Sequence, residues 1–155
     1  MGLILALSCG PKEGIEALPE HSAVVAFPMN VGEDGRPTCL WPLDEDGSRC
    51  STTGDPVELS KEQAAMVDTL VSTSESWGEG ASKCFVPRHG FVFYSDSGEV
   101  TQQIALSMIC EGLRADPPLA AMPKRESEQG LSPGAQMLWL QLCEEAGLGR
   151  CSLQP

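Results

Sequence analysis

Positive charge is scarce in this chain. Ten Lys and Arg stand against 22 Asp and Glu in 155 residues, a formal net charge of −12 with His neutral. Such a surface repels nucleic acid and anionic lipid headgroups, and Lys124-Arg125 is too small a basic cluster to reverse that. Nucleic acid is therefore not expected as a partner, and the acidity is read as a solubility device. Long apolar runs are missing as well. No stretch reaches the roughly 20 residues that a membrane-spanning helix needs. No Cys-x-x-Cys occurs, which removes a thioredoxin-like redox motif. Asp44-Glu45-Asp46-Gly47 is acidic, but it lacks the alternating ligands, sixth-position Gly and twelfth-position Glu of a calcium loop. It reads as a solvated turn.

What is present is one domain's worth of chain. Apolar residues make up 41%, and 16 Gly and 12 Pro imply long loops around a single core. Residues 1–22 form an apolar N-terminal segment and a tether, and residues 23–151 a single domain. Gly2-Leu3-Ile4-Leu5-Ala6-Leu7-Ser8-Cys9-Gly10 is an apolar run ending at a Cys beside small residues. It is similar to the end of a bacterial lipoprotein signal, in which the Cys is lipidated after cleavage, although Ala6 and Leu7 stand in reverse of the usual order. The competing reading is a short buried first strand. His21, at the end of the tether, is expected to be exposed.

Seven cysteines are present, and setting Cys9 aside as a lipid site leaves Cys39, Cys50, Cys84, Cys110, Cys143 and Cys151. An even set permits three disulfides, but spacing alone leaves about 15 connectivities open. Cys39 and Cys50 flank the acidic turn, and Cys151 is close enough in sequence to reach back toward Cys143. Buried free thiols in a reducing cytosol are the alternative.

Along the chain, Ala23-Val24-Val25-Ala26-Phe27 is a strand candidate closed by Pro28. Thr38 to Leu43 is a second, interrupted by Pro42 and so placed at an edge. Ser60 and Gln63 have capping-box spacing and open a helix with a stripe of Gln63, Met66, Val67, Leu70 and Val71. Ser72 to Ser82 reads as a loop in which Trp77 caps the core. Residues 119–131 read as a connection. Ser132 and Pro133 start a second helix, whose Ala135, Leu138 and Leu142 share a face beside Trp139, Cys143 and Ala146.

The central block, Cys84 to Cys110, is the clearest hairpin. Phe91 to Tyr94 suit a strand, Ser95-Asp96-Ser97-Gly98 a turn, and Ile104, Leu106, Met108 and Cys110 alternate with Gln103, Ala105, Ser107 and Ile109. The fold class that follows is α+β: an antiparallel sheet built on this hairpin, packed by two helices starting near 60 and 132. The midpoint of Cys84 and Cys110 is residue 97, inside the turn, so the two would face each other across the strands. A disulfide between them would close a loop of about 25 residues and stabilise by about 3 kcal/mol on the chain-entropy model.

The same block holds the candidate site: Cys84, Arg88, His89 and Cys110. Zinc is the alternative to a disulfide, but three ligands can be named and no fourth. A thiol enzyme would use Cys84 as nucleophile and His89 as base, yet nothing marks an orienting group or an oxyanion site. Arg88 could bind an anion bidentately or pair with an acidic neighbour. His89 is expected to be a structural, hydrogen-bonded residue near the start of the hairpin.

Cys-Phe-Val-Pro-Arg-His-Gly-Phe-Val-Phe-Tyr, a short turn and a strand ending in Cys resemble a group of uncharacterised bacterial proteins, many of them lipoprotein-like or exported. The resemblance runs over roughly residues 59–148, including Leu59-Ser60-Lys61-Glu62-Gln63 and Cys143-Glu144-Glu145-Ala146-Gly147-Leu148. In that group the second strand often ends in Cys-x-x-Cys, and here Ser107 holds the first of those positions. A four-ligand metal centre built on Cys84, His89 and that pair would lack a ligand, whereas a Cys84–Cys110 disulfide survives the change. The resemblance implies no activity. The resulting expectation is a non-enzymatic binding or scaffold domain at the cell envelope, exported or tethered, touching the membrane only through an N-terminal lipid and needing no cofactor. The alternatives are a cytoplasmic location and a metal-dependent or thiol enzyme using Cys84, His89 and Cys110.

Overall fold

The computed structural model describes residues 20–29, 32–34, 36–50, 54–79, 84–119 and 129–153. Cys9 and the apolar N-terminal run lie outside these residues. The fold is α+β. Five strands form an antiparallel sheet: β1 (Ala23–Pro28), β2 (Val57–Glu58), β4 (His89–Tyr94), β5 (Val100–Ser107) and β6 (Gly112–Asp116), in the order β2-β1-β4-β5-β6. A second, two-stranded sheet pairs β3 (Trp77–Glu79) with β7 (Gln129–Leu131). Helices α1 (Lys61–Ser72) and α2 (Pro133–Glu145) complete the set, with a short 3-10 turn at Ser74–Ser76.

The local signals explain the element ends. Ser60 accepts a hydrogen bond from the Gln63 N–H while the Gln63 side chain accepts from the Ser60 N–H, so two orphan donors of α1 are satisfied. Ser132 caps α2 by accepting from the Ala135 N–H, with Pro133 in the first turn where its missing N–H costs nothing. The Ser132 hydroxyl also donates to the Glu75 carbonyl, and its N–H to the Ser76 carbonyl, which docks the start of α2 on the 3-10 turn. Between β4 and β5 the Gly98 N–H donates to the Ser95 carbonyl, and Gly98 has φ of 81°, a left-handed value natural only to glycine. The pairing shifts by one residue after Phe93, leaving Thr101 as the extra residue of a bulge.

Directly opposed residues in an antiparallel sheet share a face. One face carries Val24, Ala26, Phe91, Phe93, Ile104, Leu106 and Leu113, and packs on Val67, Leu70 and Val71 of α1 and Ala135, Trp139 and Leu142 of α2. Gln102 sits buried on the same face, with its amide donating to the Pro117 carbonyl. The opposite face is covered too, by Met29, Pro42 and Leu43. Phe27, Leu43 and Val92 cluster there, and the Leu43 N–H donates to the Gln103 side-chain carbonyl at 3.0 Å. Gly90 lies under this cover, where a Cβ would overlap the Pro42 ring.

Several local expectations need correction. Thr38 to Leu43 is not a strand; within it a single bridge joins Leu43 to Arg49, and Pro42 has no N–H to extend a ladder. Ser72 to Ser82 is not wholly loop, since β3 forms there by pairing with β7 inside the supposed connection 119–131. Trp77 is half-buried against the core. On α2 the buried stripe is Ala135, Trp139, Leu142 and Cys143, whereas Leu138 is 40% exposed. His21 is not exposed: it lies edge-on to Phe93, 5.0 Å between centroids, and 3.5 Å from the Asp68 carboxylate.

Three disulfides staple the fold. Cys39–Cys50, Cys84–Cys110 and Cys143–Cys151 have Cα separations of 6.3, 5.5 and 5.7 Å. Their sequence separations of 11, 26 and 8 rank their chain-entropy effects, with Cys84–Cys110 the largest and Cys143–Cys151 the smallest.

Two substitutions test the two-sided sheet. Leu106→Ala, on the helix face, should cost about 2–5 kcal/mol in denaturant unfolding. A loss under about half a kcal/mol would place Leu106 outside the core. Gly90→Val should destabilise by displacing Pro42, and Pro42→Ala in the Gly90→Val background should recover part of that loss.

Candidate functional site

The structure divides the candidate residues between two places. Cys84 and Cys110 are bonded to each other where the hairpin ends, with Cys84 exposed and Cys110 buried. The chain between Cys84 and β4 runs beside β5. The Val86 N–H donates to the Ser107 hydroxyl at 3.0 Å, and the Arg88 N–H to the Leu106 carbonyl at 3.1 Å. Ser107, at the position where the resembled group often has Cys, is fully buried and spends its oxygen holding this segment. Nearby the Arg114 guanidinium lies 4.2 Å over the Phe85 ring, a cation–π contact.

His89 goes elsewhere. It opposes Pro28 on β1 and Leu106 on β5, in phase with Phe91 and Phe93, and so points into the helix face of the sheet. It is 3% exposed. Its Nε2 lies 2.9 Å from the Gly149 carbonyl and 3.5 Å from the Cys143 Sγ. A carbonyl only accepts, so the proton is assigned to Nε2. Cys143 is bonded to Cys151, which folds the tail after α2 back over the helix. His89, Cys143 and Cys151 line an apolar cavity of about 10 Å³ with Phe91 and Trp139, room for about one water. Arg88 is half-buried, and its Nε has no hydrogen-bond partner among the described residues.

The chemistry available follows from this split. A sulfur in a disulfide offers no thiolate to zinc or to an acyl group. Among the described residues no group of three His, Cys, Asp or Glu side chains is placed to hold a metal ion. The Cys143–Cys151 pairing was suggested by its spacing and is present; its position beside His89 was the part that sequence reasoning missed. One signal pointed to it: His89 is two residues from Phe91 and four from Phe93, so period two puts the imidazole on the apolar face.

Burial holds the His89 pKa below its ordinary value near 6.5. The hydrogen bond to Gly149 opposes this shift, and the charges of Arg88 and Arg150 add to it. The unfolded chain therefore takes up the proton first as pH falls. His89 leaves stability unchanged above about pH 6.5 and withdraws it progressively as pH drops from there through the folded pKa. Asp68 works in the opposite sense, because burial raises its pKa against the pull of His21. We expect unfolding free energy to fall below about pH 6.5 with a slope of up to about 1.4 kcal/mol per pH unit from His89. In His89→Gln that component should vanish; an unchanged pH profile would show that His89 is not buried as a neutral ring.

Comparison of the chain with protein-family models, with curated proteins and with solved structures finds no match.

Proposed function

We propose that this chain is a disulfide-stapled domain exported to the bacterial cell envelope, tethered there through a lipid on Cys9, and acting by binding or scaffolding and not by catalysis. The observation that carries the reading is that all six cysteines after Cys9 are paired, each with a partner near in sequence. Three disulfides in a chain of this size fit an oxidising compartment, because cytosolic thiol buffers keep such cysteines reduced. The apolar run ending at Cys9-Gly10 supports the tether, and no helix among the described residues is long and apolar enough to cross a membrane. The strongly negative charge disfavours nucleic acid as the partner. The alternative, a metal-dependent or thiol enzyme using Cys84, His89 and Cys110, draws no support from cross-linked sulfurs or from a histidine that faces another bridge.

Expression from Met1 in a bacterium that processes lipoproteins tests this reading. The protein should appear in the envelope fraction, lack residues 1–8, carry a lipid mass on Cys9, and resist alkylation until reduced. Cys9→Ala should abolish the lipid mass. Unprocessed chain in the cytosol with alkylatable cysteines would overturn the reading.

A further inference from the structure

We propose that Cys143–Cys151 is a thiol–disulfide exchange site that opens in the folded protein to a dithiol reductant, with the His89 N–H receiving the leaving thiolate of Cys143. This goes beyond the envelope-binding reading and does not depend on it. The two sulfurs of the bridge differ in access. Cys143 is buried at 7% exposure beneath the tail, whereas Cys151 is half-exposed. An incoming thiolate therefore reaches Cys151. The Cys143 Sγ, by contrast, lies 3.5 Å from a ring nitrogen that already carries a proton for the Gly149 carbonyl. A donor waiting at the leaving sulfur lowers the cost of charge appearing there, and hydrogen bonds to charged groups are the strong ones.

One thiolate of the dithiol attacks Cys151 Sγ, the bond to Cys143 breaks, and its electron pair stays on Cys143 as a thiolate facing Nε2–H. The second thiol of the reductant then attacks the mixed disulfide, leaving as a cyclic disulfide and releasing Cys151. The two protons of the reductant end on Cys143 and Cys151. The charged groups around the site pull both ways. Arg88 and Arg150 act on His89 as neighbouring positive charges, which favour a thiolate. The last carbonyls of α2, with Glu144 and Glu145 beside Cys143, disfavour it. The direct N–H is what tips the balance toward departure of Cys143.

The fold also tolerates the opening. This bridge spans 8 positions, the shortest of the three, and joins α2 only to the tail that follows it. That tail is bent sharply: Gly147 and Gly149 have φ of 67° and 69°, and Arg150, which is not glycine, has φ of 53°. A left-handed non-glycine residue is held by its surroundings. Breaking the bridge removes the covalent hold on the tail after Gly149, which together with Leu148 covers the apolar wall of Leu106, Met108 and Trp139.

The test uses the purified, fully oxidised protein, so its result is independent of where the chain resides in the cell. Dithiothreitol is added without denaturant, samples are quenched with an alkylating agent, and each cysteine is followed by peptide mapping. Cys143 and Cys151 should be labelled as one pair in the absence of denaturant, whether or not the bridge at the exposed Cys84 opens as well. His89→Phe, which removes the N–H, should slow this bridge by about tenfold or more, and His89→Gln, which keeps a donor, should restore much of the rate. The rate at Cys84–Cys110 in the same molecules is the control, since a variant that only loosens the fold would speed both bridges. Oxidised glutathione added to the reduced site should leave its adduct on Cys151. Labelling of Cys143 and Cys151 only under denaturant, an unchanged or faster rate in His89→Phe, or a glutathione adduct on Cys143 would each overturn the proposal.

Discussion

The burial of β4 on both faces is the constraint on which the rest of the structure depends. This strand, His89–Tyr94, is hydrogen-bonded on both edges, to β1 and to β5. Phe91, Val92 and Phe93 are each at most 1% exposed, so consecutive side chains are buried on opposite sides. A strand with that sequence cannot face water on either side, and each side must find a cover. The two helices supply one. A loop with almost no secondary structure supplies the other, and two devices make it sufficient: Gly90 lets the Pro42 ring close onto the backbone, and Cys39–Cys50 holds the loop's ends together. Backbone polar groups in such a cover need partners, and Gln103 provides one by accepting from Leu43.

The parts of the fold that were legible in the sequence are those encoded by neighbours. The capping box at Ser60 and Gln63, the Ser132-Pro133 start and the Gly98 turn are satisfied within four residues, so the chain declares them locally. The alternation in β5 also marked Ile104, Leu106 and Met108 as core. It did not reveal that Ala105 and Ser107 are buried as deeply, because small residues leave no apolar signature on the face they occupy. β3 and β7 are three residues each and exist only through pairing across about 50 positions, so neither carries a strand pattern of its own. Leu138 and Trp139 point about 100° apart on α2, and the side that is buried is the one shared by Trp139, Ala135, Leu142 and Cys143.

The candidate site shows the same division. The sequence groups Cys84, Arg88 and His89 because they are adjacent, but a strand turns adjacent residues apart. His89 belongs to the helix side, where its neighbours come from 54 and 60 positions later in the chain. The distinctive string is thus two structural statements written in succession: a staple at the hairpin's end, then a buried imidazole that ties β4 to the tail. Nothing in the spacing of Cys143 and Cys151 alone indicates that a histidine from the sheet will meet them.

The Cys39–Cys50 loop has a consequence for how this chain can change over time. Its ends are fixed against the sheet, while Asp44 to Arg49 at its tip are all exposed and bond mainly among themselves. Lengthening a clamped loop costs little, about 0.6 kcal/mol for each doubling. Sequence drift, insertions and new surface chemistry can therefore accumulate at this tip without reaching β4. The feature that seals one side of the sheet is thus also a region open to diversification, because its exposed tip and its buried anchor points are separate residues.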